Sequence, residues 1–352
     1  MRIDALRERM QAAGLDALAV TNGPNITYLT GASVGRAVLV VTPENAYLLT
    51  SFVDTEDAQK RARDVEVRQY AAFGGETTKQ LAALPEASSY GVVGFEADTL
   101  PVTQLESFRA QLPHAELVPT HGMVESVRAV KDAGETELVR RACDIADRAM
   151  ERAAGRLREG VTEREIGLDI DAFMKAEGAD SIAFLLIQFG ARSSLPHGEP
   201  LGTRLQSGDM VLIDIGPAIH GYNADLTRTF VFGKADERQR EVYDAVLRAQ
   251  LASLEAVRPG ATGEEIDAVS RRIIDEAGYG QYYGHGLGHS IQAGPSLAPG
   301  YTDVLQPGNV VTIEPGIYIP DWGGVRIEDT VLVTETGHEA LTHYPKELQE
   351  IA

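Results

Sequence analysis

The sequence holds a single cysteine, Cys143, so no disulfide can form within the chain. Its place among Ala142, Ile145 and Ala149 on a helical pattern gives it a packing role. No basic leader precedes an apolar segment, and no run of about 18 apolar residues occurs, so neither export nor membrane spanning is signalled. A cytoplasmic location follows by elimination. Basic charge is scarce, with 32 Lys and Arg against 52 Asp and Glu and a formal net charge of -20. Nucleic acid and an anionic membrane surface are therefore poor partners, since both need local positive charge. A nucleotide-binding loop is also missing: Gly31-Ala32-Ser33-Val34-Gly35 lacks the lysine and the spacing of a phosphate cradle.

What is present is enough apolar content, 43% of 352 residues, for two cores. Ile3, Leu6, Met10 and Ala13 are spaced for a helix that Gly14 can end. Strands are expected at Ala17 to Thr21, Ala37 to Val41, Ala46 to Thr50, Val65 to Tyr70, Tyr90 to Phe95 and Glu116 to Val118. Asn22-Gly23-Pro24 reads as a turn, and Leu105, Phe108 and Leu112 mark a helix. This alternation predicts a small α/β domain over residues 1–125.

A second domain, 126–352, opens with a long helix near Glu135 and contains a duplication. Gly160-Val161-Thr162-Glu163-Arg164-Glu165-Ile166 matches Gly260-Ala261-Thr262-Gly263-Glu264-Glu265-Ile266, each with a threonine N-cap and a glutamate three residues on. Gly178 and Gly278 can end the two helices. At the same interval, Gly208-Asp209-Met210-Val211-Leu212-Ile213-Asp214 matches Gly308-Asn309-Val310-Val311-Thr312-Ile313-Glu314. Two αβ halves are expected to pack about a pseudo-twofold axis with carboxylates converging at the seam.

Asp214 follows a run of aliphatics, where a charge is costly unless paired or coordinated. Asp225 returns eleven residues later; a hairpin through Gly216-Pro217 and His220-Gly221 would bring the two together. Thr227, on the same strand face as Asp225, is expected to orient that carboxylate, and Arg228 on the other face to be structural. Glu314 and Glu328 are expected to repeat the roles of Asp214 and Asp225, with Gly323-Gly324 making the reversal between their strands. Four converging carboxylates would repel one another unless divalent cations or protons intervene. Tyr283-Gly284-His285-Gly286-Leu287-Gly288-His289 supplies a nitrogen ligand, and the residues alone leave the choice between His285 and His289 open. Oxygen ligands with one imidazole favour Mn, Co, Zn or Fe. Two ions sharing a water would give a hydroxide nucleophile and polarise a scissile carbonyl, with Glu314 taking and returning the proton. His197 on its loop after Pro196 and Arg326 beside Glu328 are candidates to meet substrate or an oxyanion.

Taken together, Ser194-Leu195-Pro196-His197-Gly198, Asp214-Ile215-Gly216, Asp225-Leu226-Thr227-Arg228-Thr229-Phe230, Gly284-His285-Gly286-Leu287-Gly288, Ile313-Glu314-Pro315-Gly316-Ile317-Tyr318 and Gly324-Val325-Arg326-Ile327-Glu328-Asp329 resemble the pita-bread metallopeptidases, the family of prolidase, aminopeptidase P, methionine aminopeptidase and creatinase. The resemblance is strong from about residue 130 to the end and looser over 1–125. It implies an α/β N-terminal domain before an α+β pita-bread domain. It also implies a homodimer and a dinuclear site, usually Mn or Co, that cleaves the bond before proline in small peptides with proline second. Asp214 would chelate one ion, Asp225 and Glu328 would bridge both, and His285 with Glu314 would complete the other; the spacing to Glu314 favours His285 over His289, whose place is commonly aliphatic in the family. His197 matches a histidine beside the reaction centre. Two departures stand out: histidines usual four residues before and seven after the ligand histidine are here Gln281 and Gln292. Glutamine can donate to an oxyanion, and Gln292 is a candidate for that task, yet it cannot carry a proton near neutrality. A Xaa-Pro peptidase, of aminopeptidase P or prolidase type, is the leading reading. A creatinase-like hydrolase of a non-peptide C–N bond and a silent metal-binding scaffold are the alternatives.

Overall fold

The computed structural model describes residues 2–70 and 81–352. Contacts divide the chain into two compact units, Met1–Arg128 and Ala129–Ala352, three residues beyond the expected boundary because the short helix Glu125–Arg128 belongs to the first.

The first unit runs α1 (Arg2–Ala12), β1 (Ala17–Val20), α2 (Gly23–Thr30), β2 (Ala37–Val41), β3 (Ala46–Thr50), α3 (Phe52–Arg61), β4 (Glu66–Gln69), β5 (Val92–Glu96), α4 (Val102–Gln111), β6 (Glu116–Thr120) and α5 (Glu125–Arg128). Its mixed sheet has the order β4-β3-β2-β1-β5-β6. Strand β1 explains the lack of polar alternation: Leu18 and Val20 face one core, Ala17 and Ala19 the other, so both sheet faces are covered. The expected turn at Asn22-Gly23-Pro24 is instead the start of α2, with the proline in its first turn. There its missing N–H costs nothing, and Glu96 accepts from the backbone N–H groups of Thr21 and Asn22 at 2.6 and 2.7 Å. Helix α3 escapes sequence patterning because it buries only Thr55 and Ala58.

The second unit begins with α6 (Ala133–Ala154), α7 (Glu163–Ala176) and β7 (Ser181–Phe189), then β8 (Met210–Ile219), β9 (Tyr222–Asn223) and β10 (Leu226–Phe232). After α8 (Glu237–Ala256) and α9 (Gly263–Glu276) come β11 (Val310–Ile313), β12 (Gly316–Ile319), β13 (Gly323–Arg326), β14 (Asp329–Val333), β15 (His338–Ala340) and β16 (Glu350–Ile351). Helix α8 is legible only in part, since Gln239, Gln250 and Ser253 lie on its buried face. Cys143 is fully buried in the core of this unit.

The duplication is visible bond by bond. Both capping boxes form, at Thr162 with Glu165 and at Thr262 with Glu265. Gly160 N–H donates to the Leu205 carbonyl and Gly260 N–H to the Leu305 carbonyl, and Thr162 bridges Arg204 as Thr262 bridges Val304. The two halves therefore meet with β8–β10 on one side and β11–β14 on the other.

Candidate metal centre

Asp214 sits mid-strand in β8, opposite Thr227 of β10. The expected Gly216-Pro217 bend does not occur. Both residues continue β8, and the chain reverses at His220-Gly221, which hold φ of 49° and 83°. Asp225 then returns just before β10, two residues from Thr227, so Asp214, Asp225 and Thr227 share one sheet face.

Glu314 follows β11 directly, and the histidine loop is pinned against that strand. Thr312 N–H donates to the His289 carbonyl at 2.8 Å, and Glu314 N–H donates to the Leu287 carbonyl at 2.9 Å. Gly288 makes this possible, since a Cβ there would lie 2.1 Å from the Thr312 carbonyl oxygen. From this loop His285 turns its Nε2 to the Tyr318 hydroxyl at 3.0 Å, with Nδ1 2.7 Å from the Gly286 carbonyl. His289 directs its Nε2 toward Glu314 at 3.3 Å and Asp225 at 3.5 Å.

Glu328 lies between β13 and β14. The reversal before it is made at Pro320-Asp321-Trp322, not at Gly323-Gly324, which pair with Ile319 and Tyr318 in β13. The glycines serve close approach instead: a Cβ on Gly324 would lie 2.3 Å from the Ser193 carbonyl oxygen. The repeat relationship is also corrected. Thr330 Oγ1 accepts from Asp225 N–H at 2.9 Å and donates to its carbonyl at 2.8 Å. Thr229 Oγ1 does the same for Arg326, at 3.1 and 3.0 Å. Asp225 is thus matched by Arg326, and Glu328 by Thr227, because the second half carries one extra residue before this strand. Accordingly Thr227 orients Glu328, donating its hydroxyl to Oε2, rather than Asp225. Arg228 is structural as expected: buried, it donates to the Glu328 carbonyl and pairs with Asp329 at 2.9 Å.

Oxygens of Asp214, Asp225 and Glu328 lie within 4.8 Å of one another, and all three residues are buried. Burial raises every one of these carboxyls: Asp214 to about 6, Glu328 to about 7 and Asp225 well above its usual range, with the neighbouring carboxylates adding to the rise. Glu314 is raised to about 7 by burial and by Asp214, against the pull of Arg326. Arg326 supplies the compensating charge, donating to Asp214, to the Tyr318 hydroxyl at 3.0 Å and to Thr227 Oγ1 at 3.0 Å. Its guanidinium was expected beside Glu328, from which it stands 3.8 Å away. Burial holds the His285 imidazole down at about 4, so it is neutral near neutrality; its Nε2 takes the hydrogen of the Tyr318 hydroxyl, which itself accepts from Arg326, so of the two histidines it is His289, and not the expected His285, that faces the carboxylates.

The donor set fits divalent ions. Asp214 and Glu328 each have one oxygen held by the protein, by Arg326 and Thr227. The other, Asp214 Oδ1 and Glu328 Oε1, is buried and accepts no hydrogen bond from any described residue. Such orphaned carboxylate oxygens are costly unless a cation meets them, and oxygen with imidazole suits Mn, Co or Zn.

These groups line a cavity of about 1370 Å³ whose walls include Phe184, Leu195, Pro196, Tyr282 and Tyr301. His197 and Gln281 also line it, and both are exposed. Gln292 does not: its amide donates to the Gly221 carbonyl and lies 3.3 Å from Asn223 Oδ1. Tyr318, joining Arg326 to His285 through one hydroxyl, was given no role by sequence reasoning; a tyrosine in an apolar strand carries no signal of what its hydroxyl meets.

Fold and site together define a two-domain metallohydrolase of the pita-bread type. The chain belongs to metallopeptidase family M24, whose model matches residues 137–335, preceded by a creatinase/prolidase N-terminal domain over residues 2–130. It is 36% identical over 353 residues to a Xaa-Pro dipeptidase of Pyrococcus furiosus, covering 99% of each chain. Among solved structures, a Xaa-Pro dipeptidase from Bacillus anthracis matches at a TM-score of 0.94 and 37% identity, over 99% of this chain and 98% of that one. A prolidase from Pyrococcus horikoshii matches at a TM-score of 0.92 and 35% identity, over 99% of both. Among the described residues no helix is long and apolar enough to cross a membrane.

Proposed function

We propose that this chain is a metal-dependent Xaa-Pro peptidase that hydrolyses the bond before proline in small peptides, with Xaa-Pro dipeptides as the first substrates to test. The observation that carries the reading is the buried Asp214, Asp225 and Glu328 cluster, with its unpartnered oxygens, in the wall of a cavity large enough for a peptide. Together with Glu314 and His289, whose Nε2 lies 3.3 Å from Glu314 and 3.5 Å from Asp225, these residues would hold two divalent ions, Mn or Co first and Zn as the alternative. Bound ions supply Lewis acidity and make a water a competent nucleophile near neutral pH.

The chain's own groups do the rest. Glu314, beside the cluster, accepts the proton of the attacking water and returns it to the departing proline nitrogen. Arg326 keeps Asp214 in place and offsets the cluster's charge. His197 and Gln281 stand in the cavity wall as donors to the substrate carbonyl or its carboxylate, and Phe184, Leu195 and Pro196 offer an apolar surface to the proline ring. Gln292, engaged with the Gly221 hairpin, takes no part in this scheme. A cytoplasmic homodimer belongs to the same reading, and light scattering of the purified chain tests the assembly.

The activity is tested with metal-stripped protein, before and after adding Mn, Co or Zn, on Ala-Pro, Ala-Pro-Ala and Ala-Ala-Ala. Metal-restored cleavage before proline, lost in Glu314→Gln, is the expected result, and the ratio of dipeptide to tripeptide cleavage separates prolidase from aminopeptidase P behaviour. Metal binding with no cleavage of any member would turn the reading toward a non-peptide substrate or a silent relative.

A further inference from the structure

We propose that Glu163 is a positioning residue for His197: its one buried carboxylate clasps both ends of the loop that carries this histidine into the cavity wall. The inference rests on the peptidase reading above and adds a residue to it.

Glu163 opens helix α7, and its side chain is fully buried. Its Oε1 accepts from the backbone N–H of Phe189, the last residue of β7, at 2.9 Å, and its Oε2 accepts from that of Leu201 at 2.8 Å. Between those two anchors lies the loop with His197. Arg192, inside the loop, places its Nε 3.0 and 3.2 Å from the two oxygens, and its guanidinium also donates to the Glu199 carbonyl at 2.8 Å. The carboxylate therefore holds three points of one loop, and the arginine it binds holds a fourth. Bonds to an ionised acceptor are stronger than those between neutral groups.

The tip is held as well. Gln188, fully buried, donates to the Gly198 carbonyl at 2.6 Å, and Arg326 Nη1 stands 3.5 Å from the Pro196 carbonyl. The peptide groups on both sides of His197 are thus fixed, while the residue itself is exposed and lines the cavity.

The shared fold of the two halves does not require this carboxylate. At the matching place in the second half stands Gly263, where a Cβ would lie 2.0 Å from the Ser296 carbonyl oxygen. There the chain rests directly on the helix, with no side chain between them. Burying a carboxylate and an arginine carries a desolvation penalty, and one half folds without it. What the first half gains is a fixed loop under the histidine that meets substrate.

The test is a double-mutant cycle on Ala-Pro hydrolysis by the metal-loaded full chain, with Glu163→Gln, His197→Ala and the two combined. Glutamine keeps the shape but has a single accepting oxygen, so the N–H of Phe189 or of Leu201 loses its partner. Glu163→Gln should lower kcat/KM about tenfold or more, as small displacements of a catalytic group do. In the His197→Ala background it should cost less than about twofold. Metal affinity by calorimetry should be unchanged, and amide hydrogen exchange across residues 189–201 should quicken. If Glu163→Gln does not fold, Arg192→Met takes its place in the cycle with the same expectations, at a side chain 25% exposed. An equal loss in both backgrounds, no loss at all, or exchange at the wild-type rate overturns the inference. His197→Ala with unchanged kcat/KM also overturns it and leaves the peptidase reading standing. A metal-loaded wild type that cleaves no proline peptide overturns both.

Discussion

Thr227 and Glu328 stand at matching places in the two halves of the catalytic unit and are bonded to each other: the threonine hydroxyl donates to the Glu328 carboxylate, and Glu328 N–H donates to the Thr227 carbonyl at 3.1 Å. The pseudo-twofold axis thus passes between a carboxylate and the residue that aims it. Thr227→Val keeps the shape and removes the hydroxyl. It should lower metal affinity about 10- to 100-fold while the unfolding midpoint of the metal-free protein moves little, as calorimetric titration and thermal melts would show. Unchanged affinity would assign the aiming of Glu328 to some other group.

The metal-free protein should be more stable at pH 5 than at pH 8. Burial lifts Glu314 and Glu328 to about 7 and Asp214 to about 6, from ordinary values of 4.5 and 3.8. A folded-state pKa above the unfolded one means the folded state holds protons more tightly, so the stabilisation is full below the unfolded value and is lost as pH rises through 6 to 7. With metal present the trend should reverse over the same window, because the ligands must be deprotonated to bind. Melting temperatures with and without chelator across pH 5 to 8 check both signs.

Arg228 is a buried arginine paired with buried Asp329, each with almost no exposed side chain, and Lys346 adds a second cation 3.0 Å from the same aspartate. Removing one partner of a buried pair costs about 3–5 kcal/mol. Arg228→Met should therefore lose about that much in urea unfolding, even though Arg228 touches no carboxylate of the proposed metal centre.

Gly288→Ala places a methyl group into the Thr312 carbonyl. Backbone displacement of this kind costs about 1–3 kcal/mol. Since the same segment carries His285 and His289, the substitution should reduce metal affinity along with the melting temperature. A melt shifted without any change in affinity would show that the loop adjusts without moving its histidines.

These outcomes also mark where the sequence was readable. The duplication was legible because capping boxes and strand-ending carboxylates recur at one interval, and β2 and β3 were legible from their apolar runs. The partners of Glu328 and Asp225 were not. A single added residue in the second half changes the interval from 100 to 101, which slides Glu328 into register with Thr227 and is invisible to residue matching. Tyr318 and the Thr229 and Thr330 hydroxyls act through contacts made across the axis, between residues far apart in the chain, and local pattern carries no trace of them. Gln292 misled for a similar reason: its place in the sequence matches a family histidine, while its backbone, at φ of 67°, aims the amide at the Gly221 hairpin.

The most direct test of the account is to follow Ala-Pro hydrolysis while Mn or Co is returned to metal-stripped protein, with bound metal measured at each point. The account predicts no cleavage without metal and a rate that climbs to a plateau at two ions per chain, with both rate and second-ion binding lost in Asp225→Asn. Cleavage that persists in the stripped protein, or two ions bound with Ala-Pro left intact, would contradict it.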